Sequence, residues 1–229
     1  MTIRAALIPV KPRHRAKDRL RPALSRRARL ALTRAMLRDV LSALLDSVLF
    51  VSVTVVTRDR ALRRLCRRLG VHTVLPPPGL RGLNAELTWA AARPELAQAD
   101  RLLVIPGDVP GVRVSELFRL VLPPMERGVR FVPSPDGGTN ALVLLPPDAI
   151  PFRFGRNSAA RHRAEAERAG LRVESVPLMS LATDIDQPED LLIGRRLAGP
   201  RTRRVLSAME DGRFRYRPRH KRKRAAQAT

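Results

Sequence analysis

Short apolar runs alternate with segments of helical period from one end of this chain almost to the other, and that alternation limits the fold more than any other feature. Residues 3–10, 50–57, 71–75 and 102–105 are rich in Ile, Val, Leu and Ala, the composition of strands covered on both faces. Between the first two, Leu30, Met36, Leu37, Val40, Leu41, Leu44 and Leu45 recur at helical spacing within residues 25–46. Residues 58–69 form a second such stretch, stopped by Gly70. Segments 83–92, 115–122, 157–169 and 188–197 read as further helices, with Pro94 breaking or restarting a turn and Pro188 acceptable in a first turn. Runs 129–132, 141–145 and 171–176 complete the strands. Repeated strand–helix–strand units predict an α/β fold, a three-layer α/β/α sandwich around a mostly parallel twisted sheet. The run around Thr139 breaks the alternation and is expected to add antiparallel strands.

A chain of 229 residues can hold one sizeable core plus an appendage. Arg, Asp or Pro interrupts every apolar run before it reaches membrane-spanning length. A strand pattern directly follows Met1, so no secretory signal is expected. The single cysteine, Cys66, cannot form an internal disulfide and is expected to be a small buried hydrophobe in a reducing cytoplasm. Net charge is +23, and the stretch 195–229 carries thirteen Lys or Arg against only Glu210 and Asp211, close to half of that excess. Apolar periodicity fades there as arginine accumulates, so residues 1–198 are expected to form the domain and 199–229 a basic, disordered tail that adds little to the core. A diffuse basic surface suits anionic ligands, and it also attracts nucleic acid. A basic nucleic-acid-binding protein is therefore a rival reading. Against it, one Trp and one Tyr provide little for base stacking, and no nucleic-acid-binding motif is present.

The most informative local stretch runs from Pro133 to Ser158, P-S-P-D-G-G-T-N-A-L-V-L-L-P-P, then F-G-R-N-S. Gly137 and Gly138 allow a left-handed turn and a close backbone approach, and Thr139 and Asn140 bring a hydroxyl and an amide to the mouth of a buried strand. Asn157 or Ser158 is placed to cap the next helix, whose N–H groups would face a nearby anion. A tight turn followed by an ordinary capped helix explains the same residues, and both readings stand on this stretch alone. Asp108 directly follows a buried strand, where ligands collect in open α/β sheets, as the first candidate for holding a hard divalent cation. Asp184 and Asp186, two apart, could complete that site, with Asp186 favoured because helix entry fixes its side chain; capping by Asp186 is the other reading. Glu189 and Asp190 are expected to complement the dipole of the following helix. Lys11, Lys17 and Arg19 follow the first strand, and this loop holds two of only four lysines. Arg13, Arg15 and Arg21 are read as solvated. His162, one helical turn after Ser158, is given a structural role.

Five motifs occur in order: I-P-V-K-P-R-H-R-A-K-D-R-L at 8–20, G-L-N-A-E-L at 82–87, V-I-P-G-D-V-P at 104–110, the glycine turn, and A-T-D-I-D-Q-P-E-D-L at 182–191. Together the set resembles the CofC/FbiD family of guanylyltransferases of coenzyme F420 biosynthesis, over roughly residues 3–198. The resemblance implies a nucleotide-diphospho-sugar-transferase-like (MobA-like) fold and transfer of GMP from GTP to phosphoenolpyruvate or 2-phospho-L-lactate, with 3-phosphoglycerate a third acceptor. The arginine- and alanine-heavy usage, of the kind GC-rich actinobacterial genomes produce, tips the acceptor to phosphoenolpyruvate. The resemblance also implies Mg2+ at Asp108 with Asp184 or Asp186, triphosphate neutralisation by Lys11, Lys17 and Arg19, and acceptor contacts from Thr139, Gly155 and Ser158. Gly82, Leu83 and Asn84 would meet the nucleobase, although Asn84 as a helix N-cap is an equal local reading. The pathway implies a transient contact with the next F420 enzyme. No specific nucleic acid and no membrane partner is expected.

Overall fold

The computed structural model of the protein describes residues 2–11 and 17–210. Seven strands form one sheet: β1 (Arg4–Pro9), β2 (Ser52–Val56), β3 (His72–Val74), β4 (Arg101–Val104), β5 (Gly128–Pro133), β6 (Thr139–Leu145) and β7 (Arg172–Ser175), in the order β3-β2-β1-β4-β6-β5-β7. β1 pairs in parallel on both sides, Ala6 lying opposite Val53 of β2 and Leu103 of β4. β6 is antiparallel to both neighbours, β4 and β5, while β7 is parallel to β5, so β6 alone runs against the other strands. The cause is local: only the short turn at 134–138 joins β5 to β6, and a turn that short can only reverse the chain. The expected antiparallel insertion is thus a single reversed strand.

Alternation along each strand divides the core in two. Ala6, Ile8, Val53, Val55, Leu103 and Val143 point to one face, under α1 (Arg26–Asp46), α2 (Arg60–Arg68) and α5 (Val114–Val121). Ala5, Leu7, Leu102, Val104, Leu142 and Leu144 point to the other, under α3 (Leu83–Ala91), the short α4 (Pro94–Ala97) and α6 (Ser158–Arg168). This is the three-layer sandwich that the alternating pattern predicts. Cys66 is buried in the first layer, and burial pushes its thiol up to about 11, as suits an inert core residue. Arg130 of β5 is also buried; it pairs with Glu174 of β7 and donates to the carbonyls of Pro123 (2.7 Å) and Pro124 (3.0 Å).

A third apolar cluster lies beside the sandwich and changes the domain boundary. It joins Leu20, in a 3-10 turn at Asp18–Leu20, to Leu32 and Met36 of α1, Ile185, Leu191 of α7 (Asp190–Leu197), and Leu206 and Met209 of α8 (Pro200–Glu210). Asp39 of α1 is buried and accepts from the N–H groups of Arg201 (3.2 Å) and Thr202 (2.8 Å), so a core carboxylate caps α8. The expectation of a tail beginning at residue 199 is therefore corrected. Residues 200–210 form a packed helix, and 211–229 lie outside the described residues. Three arginines crowd the first half of α8, and its buried apolar stripe is only Leu206 and Met209, too short for a periodicity reading to pick out.

Candidate active site

Parallel strands put their carboxyl ends on one edge of the sheet, and reversal of β6 brings its first residue, Thr139, to that same edge. β1 leads there to Lys11, β3 to Gly82, and β4 to Asp108. β1 and β4 are neighbours whose connections leave in opposite directions along the sheet, the arrangement that opens a ligand crevice in α/β folds.

Lys17 organises the centre. Its Nζ lies 2.7 Å from Asp108 Oδ2 and 3.5 Å from Asp186 Oδ1, and Arg19 Nη1 lies 2.8 Å from Asp186 Oδ2. The backbone of Lys17 is left-handed, with φ 55°, an expensive conformation for a residue with a side chain. Arg29 of α1 holds that segment, pairing with Asp18 at 3.0 Å, while Leu20 inserts into the third cluster. Arg21, expected to be solvated, also pairs with Asp18, at 3.0 Å. Arg13 and Arg15 lie outside the described residues.

Burial opposes the charge on Lys17, but Asp108 and Asp186 outweigh it and raise its pKa. Burial likewise opposes ionisation of Asp108, and the Lys17 ammonium overcomes that, with a further contribution from Lys11, holding the carboxyl below its ordinary range. Asp184 differs. Burial, then the neighbouring Asp108 charge, push it up to about 6. Its loop is placed by two backbone contacts: Ile185 N–H to Asp108 O (3.4 Å) and the buried Asn140 Nδ2 to Ala182 O (2.8 Å). Asp186 does not cap a helix. Asp190 Oδ2 instead accepts from the N–H groups of Asp186 (2.8 Å) and Gln187 (2.6 Å), and α7 begins at Asp190 rather than Pro188.

The donor set suits a hard divalent cation in kind, since carboxylate oxygens supply it. Among the described residues no three acidic, His or Cys side chains converge closely enough to hold a metal by themselves. Asp108 and Asp186 do share one cationic neighbour, the Lys17 ammonium. A site of two carboxylates completed by substrate phosphates is the form that fits.

The second half of the crevice is a hydroxyl pair. Thr139 and Ser158 are both buried, and Ser158 Oγ–H donates to Thr139 Oγ1 at 3.0 Å. His162 lies 3.1 Å from the same Thr139 oxygen through Nδ1, and its Nε2 accepts from Arg153 N–H at 3.0 Å. The turn at Ser134–Gly138 is closed by Gly137 N–H to Ser134 O (3.0 Å), with Gly137 at φ +80°.

Here the expected free helix N-terminus does not materialise. Asn157 occupies the N-cap position at φ 54° with no side-chain cap, Ser158 N–H is taken by Gly155 O (3.1 Å), and Ala159 N–H by Gly137 O (3.2 Å). The glycine turn thus caps the helix through its backbone, taking an N–H that was expected to be open to an anion. Gly155 is at φ +120°, a conformation only glycine adopts cheaply.

Asn84 is also redirected. Gly82, not Asn84, is the N-cap of α3, and Leu83 packs against the second core layer. The Asn84 amide binds both polar groups of the Phe154 backbone, accepting from its N–H (2.8 Å) and donating to its carbonyl (3.1 Å). Its groups therefore serve to fix the loop that carries Gly155, a function local sequence could not reveal because Phe154 is 70 residues away.

With this geometry in place, comparison with known proteins decides the family. The family model described as "Guanylyl transferase CofC like" matches residues 4–198. The chain belongs to that family. It is 38% identical over 187 residues to a phosphoenolpyruvate guanylyltransferase of Roseiflexus castenholzii, covering 82% of this chain and 85% of the relative. It is 37% identical over 214 residues to a 3-phospho-D-glycerate guanylyltransferase of Phenylobacterium zucineum, covering 90% and 96%. In shape it matches a putative nucleotide-diphospho-sugar transferase from Desulfovibrio desulfuricans with a TM-score of 0.72 at 18% identity, over 92% of this chain and 96% of that one. The last comparison concerns the fold alone, and it agrees with the nucleotide-diphospho-sugar-transferase-like sandwich. This member of the family is an enzyme, a guanylyltransferase. Among its described residues no helix is long and apolar enough to cross a membrane.

Proposed function

We propose that this enzyme joins GMP from GTP to phosphoenolpyruvate in coenzyme F420 biosynthesis, giving enolpyruvoyl-2-diphospho-5'-guanosine and pyrophosphate. The observation that carries the reading is the meeting of Lys17, Arg19, Asp108 and Asp186 at the carboxyl ends of the strands, beside a buried hydroxyl pair. An oxygen of the acceptor phosphate attacks the α-phosphorus of GTP in line. One O–P bond forms as the bond to the β-phosphate oxygen breaks, and pyrophosphate leaves with that electron pair. The attacking oxygen is already ionised, so no general base is needed. His162 is not one, because Arg153 N–H occupies Nε2 and leaves the proton of the neutral ring on Nδ1.

In this reading Lys11, Lys17 and Arg19 bind the triphosphate and neutralise charge that develops on the leaving group. Asp108 and Asp186 would hold Mg2+, with Asp184 as the alternative second ligand; when bound, the ion would supply positive charge that stabilises phosphoryl transfer. The shared contact with Lys17 supports Asp186 over Asp184 as the ligand. Gly82 and Leu83 border the nucleobase, with Asn84 positioning the loop opposite. Thr139, Gly155 and Ser158 form the acceptor pocket. Both substrates are cytoplasmic metabolites, so we place the enzyme in the cytoplasm.

Phosphoenolpyruvate comes first because the Roseiflexus relative bears that name and because of the chain's residue usage. The test is pyrophosphate release from GTP with phosphoenolpyruvate, 2-phospho-L-lactate and 3-phosphoglycerate in turn, alongside salt-dependent RNA retention. Fastest release with phosphoenolpyruvate is expected. A preference for either other acid reassigns the acceptor, and no release with any acid alongside tight RNA retention overturns the reading.

The pocket itself is tested by Thr139→Val, which keeps the shape and removes the hydroxyl. Loss of a hydrogen bond to a charged group is worth about 1.5–3 kcal/mol, so the KM for the phosphoacid is expected to rise roughly ten- to a hundredfold with that for GTP little changed. Equal effects on both substrates would place Thr139 outside the acceptor pocket.

A further inference from the structure

We infer that His162 is a positioning residue that turns the Thr139 hydroxyl into an obligate donor toward the acceptor's anionic oxygen. The inference rests on the acceptor-pocket reading above and follows from counting protons. A backbone N–H can only donate, so Arg153 N–H at 3.0 Å requires Nε2 of His162 to be unprotonated. The neutral ring then carries its proton on Nδ1 and donates it to Thr139 Oγ1, 3.1 Å away. Ser158 Oγ–H donates to that same oxygen at 3.0 Å. A hydroxyl oxygen has two lone pairs, and these two donors use both. The proton of Thr139 is left to point away from both donors, and among the described residues no hydrogen bond uses it.

Ser158 and Thr139 are therefore not equivalent. Ser158 has spent its proton on Thr139, which leaves Thr139 as the hydroxyl that donates to substrate. A donor with no freedom to accept favours an ionised phosphate or carboxylate oxygen over a neutral hydroxyl, which is the chemical class the acceptor belongs to.

The ring is held for this task. His162 is buried and meets Phe154 edge-on at 5.0 Å between centroids, and Asn84 pins the Phe154 backbone on both sides. Burial, and then the Arg161 charge, press the imidazole pKa down to about 4, with Arg153 acting in the same sense and Glu165 against them. The ring thus stays neutral over the working range, as the Nε2 acceptor role demands.

The experiment pairs two substitutions with one spectrum. In His162→Asn the amide nitrogen takes the place of Nδ1, retaining a donor to Thr139 while leaving Arg153 N–H without its acceptor. In His162→Gln the side chain reaches Arg153 but gives up the donor to Thr139. The expected result is a crossed pattern. The Asn enzyme melts lower yet keeps its KM for phosphoacid within about threefold, whereas the Gln enzyme melts closer to the parent with that KM raised about tenfold and the KM for GTP unchanged, the size of one lost charged hydrogen bond. Nitrogen-15 spectra of the unsubstituted enzyme should show protonated Nδ1 and bare Nε2. A proton on Nε2, or acceptor KM values that simply follow melting temperature in both variants, overturns the inference. The spectrum needs no turnover, so an enzyme inert with all three acids would sink the proposed acceptor class while leaving the tautomer to be read on its own.

Discussion

Asp108→Asn is expected to reduce guanylyl transfer by at least about 10²- to 10³-fold while leaving the fold in place. The size is that of losing one preorganised electrostatic group from a charge-stabilised transition state. Two opposing effects keep the protein folded. The amide loses the 2.7 Å ion pair with the buried Lys17, yet Lys17 keeps Asp186 within 3.5 Å. Removing the Asp108 charge also relieves Asp184, whose pKa burial and Asp108 together push up to about 6. The melting temperature should accordingly move by only a few degrees. Pyrophosphate release across a Mg2+ titration, with melting measured on the same sample, checks both halves. Near-normal turnover at limiting Mg2+ would remove Asp108 from the metal site, and a collapsed fold would show its pairing with Lys17 to be structural above all.

A chain ending at Ala198 is expected to lose much of its stability, with a melting temperature lower by more than about 10 °C. Helix α8 buries Leu206 and Met209 in the cluster that also holds Leu20, Ile185 and Leu191. Two large apolar side chains are worth roughly 1.5–3 kcal/mol each. The truncation also strips Asp39, only 4% exposed, of two N–H donors and of Arg201 at 3.6 Å. A buried carboxylate left without partners adds several kcal/mol more. For a chain this long each kcal/mol lowers the midpoint by about 2–4 °C, which sets the expected shift. Activity should fall with it, because the same cluster anchors the turn after Lys17 and the loop carrying Asp186. The control is Leu206→Ala in the full chain, expected to cost about 2–5 kcal/mol by itself. A second chain ending at Glu210 separates packing from charge, since it removes eight of the basic residues and none of α8. Unchanged melting on truncation at Ala198 would mean that α8 adds nothing to the domain.

The strands were legible because a strand covered on both faces is apolar along most of its length, and Ala6–Ile8, Val53–Val56 and Leu102–Ile105 carry no charged residue. The five ordered motifs were legible for a related reason: Lys17, Asp108, Thr139 and Asp186 each stand next to a strand end or turn whose local signals are strong. Helix α8 was not. A helix needs only a narrow buried stripe, and a short apolar stretch behind three arginines looks like a solvated segment until α1 is seen to cover Leu206 and Met209. The partners of polar groups were likewise out of reach. Asn84 binds Phe154, Asn140 binds Ala182 and Asp39 caps α8 across separations of 70, 42 and about 160 residues, distances over which sequence carries no geometric information. His162 shows the division most clearly. Sequence alone places it one turn after Ser158 on a helix, which reads as a structural residue. Only the tertiary structure brings Arg153 N–H to one nitrogen and Thr139 to the other, and with both nitrogens committed the position of a single proton is decided.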